Sequence, residues 1–252
     1  MERKISRILS MNVDLTNPNQ ALSRVERLVE TKKGAYVCVS NVHMCMEAMG
    51  CNDFQSIVNK ADFVIPDGRP LCWAQSLLGY AGAEQVRGRD IMNAICASSG
   101  ERSINIGLYG GSSAELLAVI NNILLANYPS INITYTFSPP FRPLNEAEDA
   151  DIVAAINQAK VNVLFVGIGC PKQERWMAEH KDKLSCVMLG VGAAYDFIAG
   201  TKKEAPRWIQ VIGMEWLFRL CYEPKRLWRR YLYTNPSFIW HFGKQFFKIK
   251  SA

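Results

Sequence analysis

The stretch Val161–Trp176, VNVLFVGIGCPKQERW, decides the fold. Its first six residues are apolar except for one asparagine, as is typical of a strand buried on both faces of a parallel sheet. Two glycines then end the apolar run, and Pro171 favours a helix that begins immediately afterwards. Lys172, Gln173 and Glu174 therefore open a helix directly after a strand, where unpaired backbone N–H groups point towards a ligand.

Similar apolar runs alternate with amphipathic stretches through most of the chain. This alternation predicts an α/β fold, with a mostly parallel sheet and helices on both faces. Ligands of such sheets bind beyond the carboxyl ends of the strands, so the loops that follow strands are the candidate site. The predicted strands are Ala35–Val39, Asp62–Ile65, Ile104–Tyr109, Ile131–Phe137, Val161–Gly167 and Cys186–Val191.

The composition is that of a soluble globular protein. Hydrophobic residues make up 49% of the 252 residues and charged residues 21%. No apolar run reaches the roughly 18 residues that cross a bilayer, and the N-terminus has no apolar core that would predict a secretory signal. The eight cysteines are scattered without a C-x-x-C pair, which favours buried free thiols in a reducing cytoplasm.

Positive charge is concentrated near the C-terminus. Residues 202–252 carry 11 Lys/Arg against 3 Asp/Glu and four of the six tryptophans, whereas residues 1–201 are slightly acidic. We therefore predict a body, 1–201, and a basic aromatic helical appendage, 202–252. Interleaved cations and aromatics predict contact with an anionic membrane. The alternative is that these aromatics pack on the body or on a partner subunit, so a homo-oligomer is also possible. If the segment contacts both the protein and the membrane, we expect Trp216 and Phe218 to face inward and Trp228 to Phe247 to face outward.

Asp67 and the Gly110–Ser113 turn each have two interpretations. Asp67 lies between a proline and a glycine after a predicted strand. This position is typical of an aspartate that stabilises a turn or caps a helix, and it also suits a rigidly held general base. Gly110–Ser113 lies between a strand and a helix and offers backbone N–H groups to a phosphate. It lacks both the G-x-G-x-x-G and the P-loop pattern, so a plain tight turn fits equally well.

The polar helix start and the acidic residues near position 150 also have alternatives. In one interpretation, Lys172 and Gln173 bind phosphate or a base edge, and Glu174 holds them in place or interacts with the helix dipole. In the other, all three residues form a solvated first turn of the helix. Asp149 and Asp151 form a D-x-D, yet they open a helix, where acidic residues stabilise the dipole in any case. The three histidines are dispersed, so we predict no metal site.

Nine sequence elements in order resemble the WecB/TagA/CpsF family of bacterial glycosyltransferases, glycosyltransferase family 26. They cover about residues 35–235, nearly the whole chain. Any one of them is a weak signal, whereas nine in order are specific. They are Asn41, Pro66–Pro70, Val86–Asp90, Leu108–Gly111, Gly167–Glu174, Gly190–Gly200, Ala205–Pro206, Gly213–Arg219 and Glu223–Tyr231.

The resemblance implies a Rossmann-like α/β body with a C-terminal helical appendage. It implies inverting transfer of a sugar, typically N-acetylmannosamine or a related sugar, from a UDP-sugar without a cofactor or a required metal. The implied acceptor is a polyprenyl-diphosphate-linked saccharide, and the implied location is the cytoplasmic face of the cell membrane.

The resemblance also implies roles for individual residues. Asp67 matches the proposed catalytic base, and Asn41 and Gln173 match residues that line the nucleotide-sugar pocket. The other residues predicted to bind substrate lie in the same loops and motifs: Ser40, Arg87, Gly110, Gly169, Lys172 and Asp196. Those predicted to face the acceptor or the membrane are Arg219, Arg226, Arg229 and Arg230.

Three departures from the family pattern leave the donor sugar open. Val39 stands where a threonine often precedes the pocket asparagine by two residues. Phe137–Phe141, FSPPF, replaces the usual Gly-Tyr-Phe loop, and Glu204 replaces an arginine common before Ala-Pro.

Two other functional classes fit parts of the sequence. A nucleotide-dependent oxidoreductase would need a full glycine fingerprint and an acidic residue about 20 positions later, and neither is clear here. A nucleic-acid-binding protein would explain residues 202–250 but would leave the polar loops without a role. We therefore expect no nucleic-acid partner.

Overall fold

A computed structural model describes residues 3–31 and 34–251, and a parallel β-sheet lies at its centre. The ends of the predicted segments 1–201 and 202–252 lie outside the described residues. The strands that are described are β1 (Ile5–Ile8), β2 (Met11–Asp14), β3 (Ala35–Ser40), β4 (Phe63–Pro66), β5 (Asn105–Gly110), β6 (Asn132–Phe137), β7 (Val163–Gly167) and β8 (Val187–Gly190). Six form one sheet in the order β4-β3-β8-β7-β5-β6, and every neighbouring pair is parallel. The predicted fold class is confirmed, and the six predicted strands end within two residues of the observed ones.

Helices cover both faces of the sheet. They are α1 (Pro18–Thr31), α2 (Val42–Gly50), α3 (Asn52–Asn59), α4 (Arg69–Leu77), α5 (Gly88–Ser99), α6 (Ala114–Asn127), α7 (Glu146–Gln158), α8 (Lys172–His180), α9 (Ala194–Ile198), α10 (Arg207–Val211), α11 (Glu215–Tyr222) and α12 (Pro224–Lys250). One core lies under α2, α3, α4, α7, α8 and α12, and the other lies under α1, α5, α6 and α9.

The apolar runs form strands because their side chains are needed on both faces of the sheet. In β7, Leu164 and Val166 enter the first core, while Val163 and Phe165 enter the second. All four are fully buried. Alternate residues of a strand point to opposite faces, so a strand between two helical layers reads as a continuous apolar run.

The strands β1 and β2 form an antiparallel hairpin beside the main sheet, which the sequence analysis missed. Its side chains Ile8, Met11 and Val13 are fully buried in the first core. The hairpin therefore extends this core between the sheet and the C-terminal helix.

Helix α12 is docked on the body along one face. Its buried residues are Leu227, Thr234, Phe238 and Phe242, and the two phenylalanines belong to the first core. The helix packs against α2, and Gln245 bonds to the hairpin through Leu9 N and Arg7 O, both at 2.8 Å. The expectation that Trp228 to Phe247 all face outward is therefore wrong at Phe238 and Phe242. The other face of α12 remains exposed.

Two sequence predictions, on membrane-spanning helices and on the state of the cysteines, can be compared with the described residues. No helix in the described ranges is long and apolar enough to span a bilayer. All eight cysteines are free thiols; five are buried, and Cys221 is exposed.

Candidate active site

The carboxyl ends of the parallel strands open onto a cavity of about 910 Å³. It brings together ten of the predicted site residues: Asn41, Asp67, Arg87, Gly169, Lys172, Gln173, Asp196, Arg219, Arg226 and Arg230. Ser40, Gly110 and Arg229 are not among its lining residues. The loops that follow strands therefore do converge, as expected at the carboxyl edge of a parallel sheet.

Asp67 is held rigidly at one end of this cavity. Its backbone N–H donates to Ser40 O at 2.8 Å, and its carbonyl accepts from Gln85 Nε2 at 2.6 Å. Its Oδ1 accepts from Gly88 N at 2.9 Å. Backbone and side chain are thus both fixed, which leaves Oδ2 available to a ligand that enters the cavity.

Burial raises the pKa of Asp67 to about 6. The Gly88 N–H opposes this shift, the Glu215 carboxylate adds to it, and Arg219 and Arg87 oppose it. Effective general bases have a pKa close to the working pH, because they are ionised and still basic. The position and the raised pKa of Asp67 are compatible with a general base, and its catalytic role stays a prediction.

Ser40 and Asn41 support the Asp67 turn from the neighbouring strand. Ser40 is fully buried, its Oγ donates to Ile65 O at 2.8 Å, and its carbonyl accepts from the Asp67 and Gly68 N–H groups. Asn41 caps α2 by accepting from Met44 N at 3.2 Å, and it lines the cavity. Ser40 lies beneath the site, whereas Asn41 borders it.

The glycine turn of the opening stretch is braced by two buried polar side chains. Gly169, at φ +86°, donates its N–H to Gln173 Oε1 at 3.2 Å. Gln173 Nε2 donates to Glu174 Oε1 at 2.7 Å. Gln173 is 3% exposed and Glu174 is 0% exposed. Gln173 thus lines the cavity with both amide atoms engaged by the protein, while Lys172 lines it as an exposed side chain at the helix start.

Burial also raises the pKa of Glu174, to about 7, although the Gln173 amide partly opposes the shift. Glu174→Gln is expected to remove the loss of folding stability that the wild-type carboxyl causes as the pH rises. The wild-type carboxyl holds its proton more tightly when folded, so its contribution to stability falls as the pH rises from about 4.5 to about 7. The variant should therefore gain roughly 3 kcal/mol relative to wild type on going from pH 4.5 to pH 8. Urea unfolding of both proteins across this range measures the change, and parallel pH dependences would contradict it.

The remaining predicted positions serve the framework or already have partners. Gly110 has φ +117° and packs so closely on Gly167 that an added Cβ would lie 2.6 Å from its backbone. Asp196 pairs with Lys202. Arg229 lies over the Trp228 ring at 5.2 Å, outside the cavity.

The cavity has an excess of positive charge. Ten Arg/Lys and seven Asp/Glu line it. Arg87 Nε lies 3.7 Å from Glu215 and Arg87 Nη1 lies 3.4 Å from Asp90, so α11 is tied to the start of α5. This charge favours an anionic ligand. The cations that the sequence analysis missed are Arg89, Arg142, Arg175, Lys183 and Lys202.

An aromatic stack at the other end of the cavity was also missed. The ring centroid of Trp176 lies 4.4 Å from that of Tyr109 and 4.2 Å from that of His180. His180 bonds through Nδ1 to Trp176 O at 2.7 Å and through Nε2 to Asp149 at 2.9 Å. Trp176 and His180 are four residues apart in a predicted helix, and this spacing was an available signal.

Residues 3–31 and 34–251 contain no group of three or more His, Cys, Asp or Glu side chains placed to hold a metal ion. Asp149, from the D-x-D, is instead paired with His180 and Lys183. Metal independence stays a prediction.

Comparison with known proteins identifies the family. A sequence model of the glycosyl transferase WecG/TagA/CpsF family matches residues 6–252. The chain belongs to this family. Membership favours glycosyl transfer over the oxidoreductase and nucleic-acid alternatives.

Curated members of the WecG/TagA/CpsF family align with nearly the whole chain. Those from Staphylococcus aureus strains NCTC 8325 and MRSA252 are each 26% identical over 248 residues, which is 97% of this chain and 94% of the relative. Both are named N-acetylglucosaminyldiphosphoundecaprenol N-acetyl-beta-D-mannosaminyltransferase.

The departures from the family pattern border the same cavity. Val39 lines it, and Phe141, in the proline-rich loop after β6, is 90% exposed beside it. Glu204 pairs with Arg89 across the cavity wall. All three therefore lie at the cavity, where the sequence analysis expected the sugar or the acceptor to bind.

Proposed function

We propose that this protein transfers a hexose or N-acetylhexosamine, with N-acetylmannosamine as one candidate, from a UDP-sugar to a polyprenyl-diphosphate-linked saccharide. The product would enter the synthesis of a bacterial surface polysaccharide. The observation that supports this proposal most strongly is the Asp67 carboxylate, which accepts a hydrogen bond from Gly88 N at 2.9 Å in a cavity rich in cations. The name of these relatives, which specifies a diphosphoundecaprenol acceptor, supports the acceptor class.

Inverting transfer needs a base on the acceptor side. The acceptor hydroxyl oxygen attacks the anomeric carbon, the bond from that carbon to UDP breaks, and Asp67 takes the hydroxyl proton. A positioned base contributes roughly 10²–10⁴ in rate. Asp67 suits this step because its Oδ1 is held by the protein and its pKa is about 6.

The departing UDP needs positive charge on the donor side. Lys172 stands at the N-terminus of α8, and Arg87, Arg219 and Arg230 also line the cavity. Cations and helix N–H groups that are already in place stabilise developing negative charge without reorganising. Lys172 and Arg87 are therefore assigned to the donor diphosphate, and Arg219, Arg226 and Arg230 to the acceptor or the donor diphosphate.

The proposed function is tested by ligand protection and transfer. UDP-hexoses and UDP-N-acetylhexosamines should raise the unfolding temperature, because a ligand of the folded state stabilises it. The protective sugar should then be transferred to a lipid-linked saccharide. Protection by a nicotinamide dinucleotide or by DNA, with none from any UDP-sugar, would overturn the proposal.

Transfer is expected to proceed in the presence of EDTA. The cavity offers cations to the diphosphate, and its D-x-D carboxylate Asp149 is engaged by His180 and Lys183. Initial rates with and without chelator, followed by addition of Mg²⁺ or Mn²⁺, measure this. Loss of turnover that either ion restores would show that the metal-free mechanism is wrong.

The exposed face of α12 is proposed to hold the enzyme at the inner face of the cell membrane. Trp240 is 63% exposed and Phe247 is 69% exposed. Lys244 Nζ, which lies between them in sequence, is 4.5 Å from the Trp240 ring centroid. Interfacial helices combine inserted rings with cations over anionic headgroups in this way.

A further inference from the structure

One face of α4 carries a cation followed by exposed apolar side chains. The helix begins at Arg69, two residues after Asp67. Arg69, Trp73 and Leu77 are spaced four residues apart, so they share one helix face. Trp73 is 48% exposed and Leu77 is 57% exposed. We call these three residues the α4 strip.

The Arg69 guanidinium has unused hydrogen-bonding capacity. Its Nε is shielded from solvent and makes no hydrogen bond with any residue in the described ranges. Guanidinium groups bind phosphate oxygens with two parallel N–H bonds, and a shielded donor gains most from such a partner. Arg69 is not among the residues that line the cavity, so an anionic group bound to it would lie just outside the end of the cavity where Asp67 stands.

The apolar part of the α4 strip continues onto the segment after α10. Gly213 packs so closely on Trp73 that an added Cβ would lie 2.3 Å from the indole ring. The preceding residues Val211 and Ile212 are 59% and 52% exposed. The indole of Trp73 thus joins two exposed apolar segments into one surface.

We infer that the α4 strip binds the diphosphate and the first isoprene units of the lipid-linked acceptor. The inference rests on the proposed function, because it needs the acceptor hydroxyl at Asp67. Outward from that hydroxyl, the acceptor presents a sugar, a diphosphate and a hydrocarbon chain. Outward from Asp67, α4 presents Arg69, then Trp73 about 6 Å further and Leu77 about 12 Å further. The two sequences of chemical groups match.

The test compares two detergent-solubilised acceptors with the same sugar diphosphate, one on a long isoprenoid chain and one on a short alkyl group. Replacing both Trp73 and Leu77 with serine should raise the KM for the long-chain acceptor about tenfold or more. The KM for the short-chain acceptor and both kcat values should stay unchanged, because no hydrocarbon contact is lost there. Leu77→Ser alone, which leaves the Gly213 contact intact, should give a smaller shift in the same direction.

Arg69→Ala should raise the KM for both acceptors about tenfold, because the diphosphate is common to them. Arg69→Lys should recover part of this loss. The matched controls are Leu125→Ser, an exposed leucine on α6, and Arg27→Ala, an exposed arginine on α1. Both controls should leave the two KM values at the wild-type level.

Two outcomes would overturn the inference alone, provided that the wild type transfers sugar to the long-chain acceptor. They are an unchanged long-chain KM in the serine variants and an equal rise for both chain lengths. An unchanged KM together with a loss of liposome binding would assign the α4 strip to the bilayer. Absence of wild-type transfer to either acceptor would overturn the proposed function and this inference with it.

Discussion

Asp67→Asn is expected to lower the rate of sugar transfer at least 100-fold at pH 8, while UDP-sugar affinity stays within about twofold of wild type. Asparagine has the size of aspartate, and its carbonyl oxygen can still accept from Gly88 N, which Asp67 Oδ1 does at 2.9 Å. It cannot take the proton of the acceptor hydroxyl. Binding and catalysis should therefore separate in this variant, as initial rates and titration with the UDP-sugar would measure.

The pH profile and a matched variant sharpen this expectation. Since burial raises the pKa of Asp67 to about 6, the wild-type kcat/KM should rise with pH below about 6 and level off above it. Asp182→Asn changes a carboxylate in the same way on the exposed surface and should leave the rate unchanged. Activity of Asp67→Asn within tenfold of wild type would remove Asp67 from the role of base.

The central sheet could be predicted from the sequence because parallel strands between two helical layers are apolar throughout. The β1–β2 hairpin could not. Its strands have four residues each, and its turn contains Leu9 at φ +54° in place of a glycine or asparagine. A leucine in the left-handed region is uncommon, so no turn signal marks this hairpin. Burial of Ile8 and Met11 in the first core, which joins residues distant in sequence, stabilises it.

The general position of the site was also predictable, whereas its internal contacts were not. The topology of a parallel sheet requires Asn41, Asp67 and Gly169 to lie near one edge. The ion pair between Arg89 and Glu204 joins residues 115 positions apart, and nothing local in the sequence specifies it. Pairing of distant charges depends on tertiary packing, which periodicity does not encode.

The C-terminal helix shows the same limit. Aromatic residues occur all around α12, so the sequence alone does not reveal which of its faces is docked. Phe238 and Phe242 pack in the first core, whereas Trp240, about 200° around the helix from Phe238, is 63% exposed. Removing the whole segment would uncover the core, so a membrane role has to be tested with substitutions on the exposed face.

Replacing both Trp240 and Phe247 with serine is expected to weaken binding to anionic liposomes about 100-fold or more. Burying one large aromatic side chain contributes about 1.5–3 kcal/mol, and each 1.4 kcal/mol changes the affinity about tenfold. Trp240 and Phe247 are seven residues apart, so they share one face of α12, and they are 63% and 69% exposed. Their replacement should leave Phe238 and Phe242, and hence the fold, in place. Co-sedimentation with liposomes at low and high salt measures the effect.

Val119→Ser is the matched control, because it removes an apolar side chain that is 46% exposed on α6, away from α12. It should sediment like the wild type. High salt should weaken the binding of the variant and of the wild type by a similar factor, because the same cations, such as Lys244, hold both proteins to the headgroups. Equal sedimentation of the variant and the wild type, or binding that does not depend on anionic lipid, would show that α12 does not bind the membrane. Its exposed aromatics would then be assigned to a contact with another protein surface.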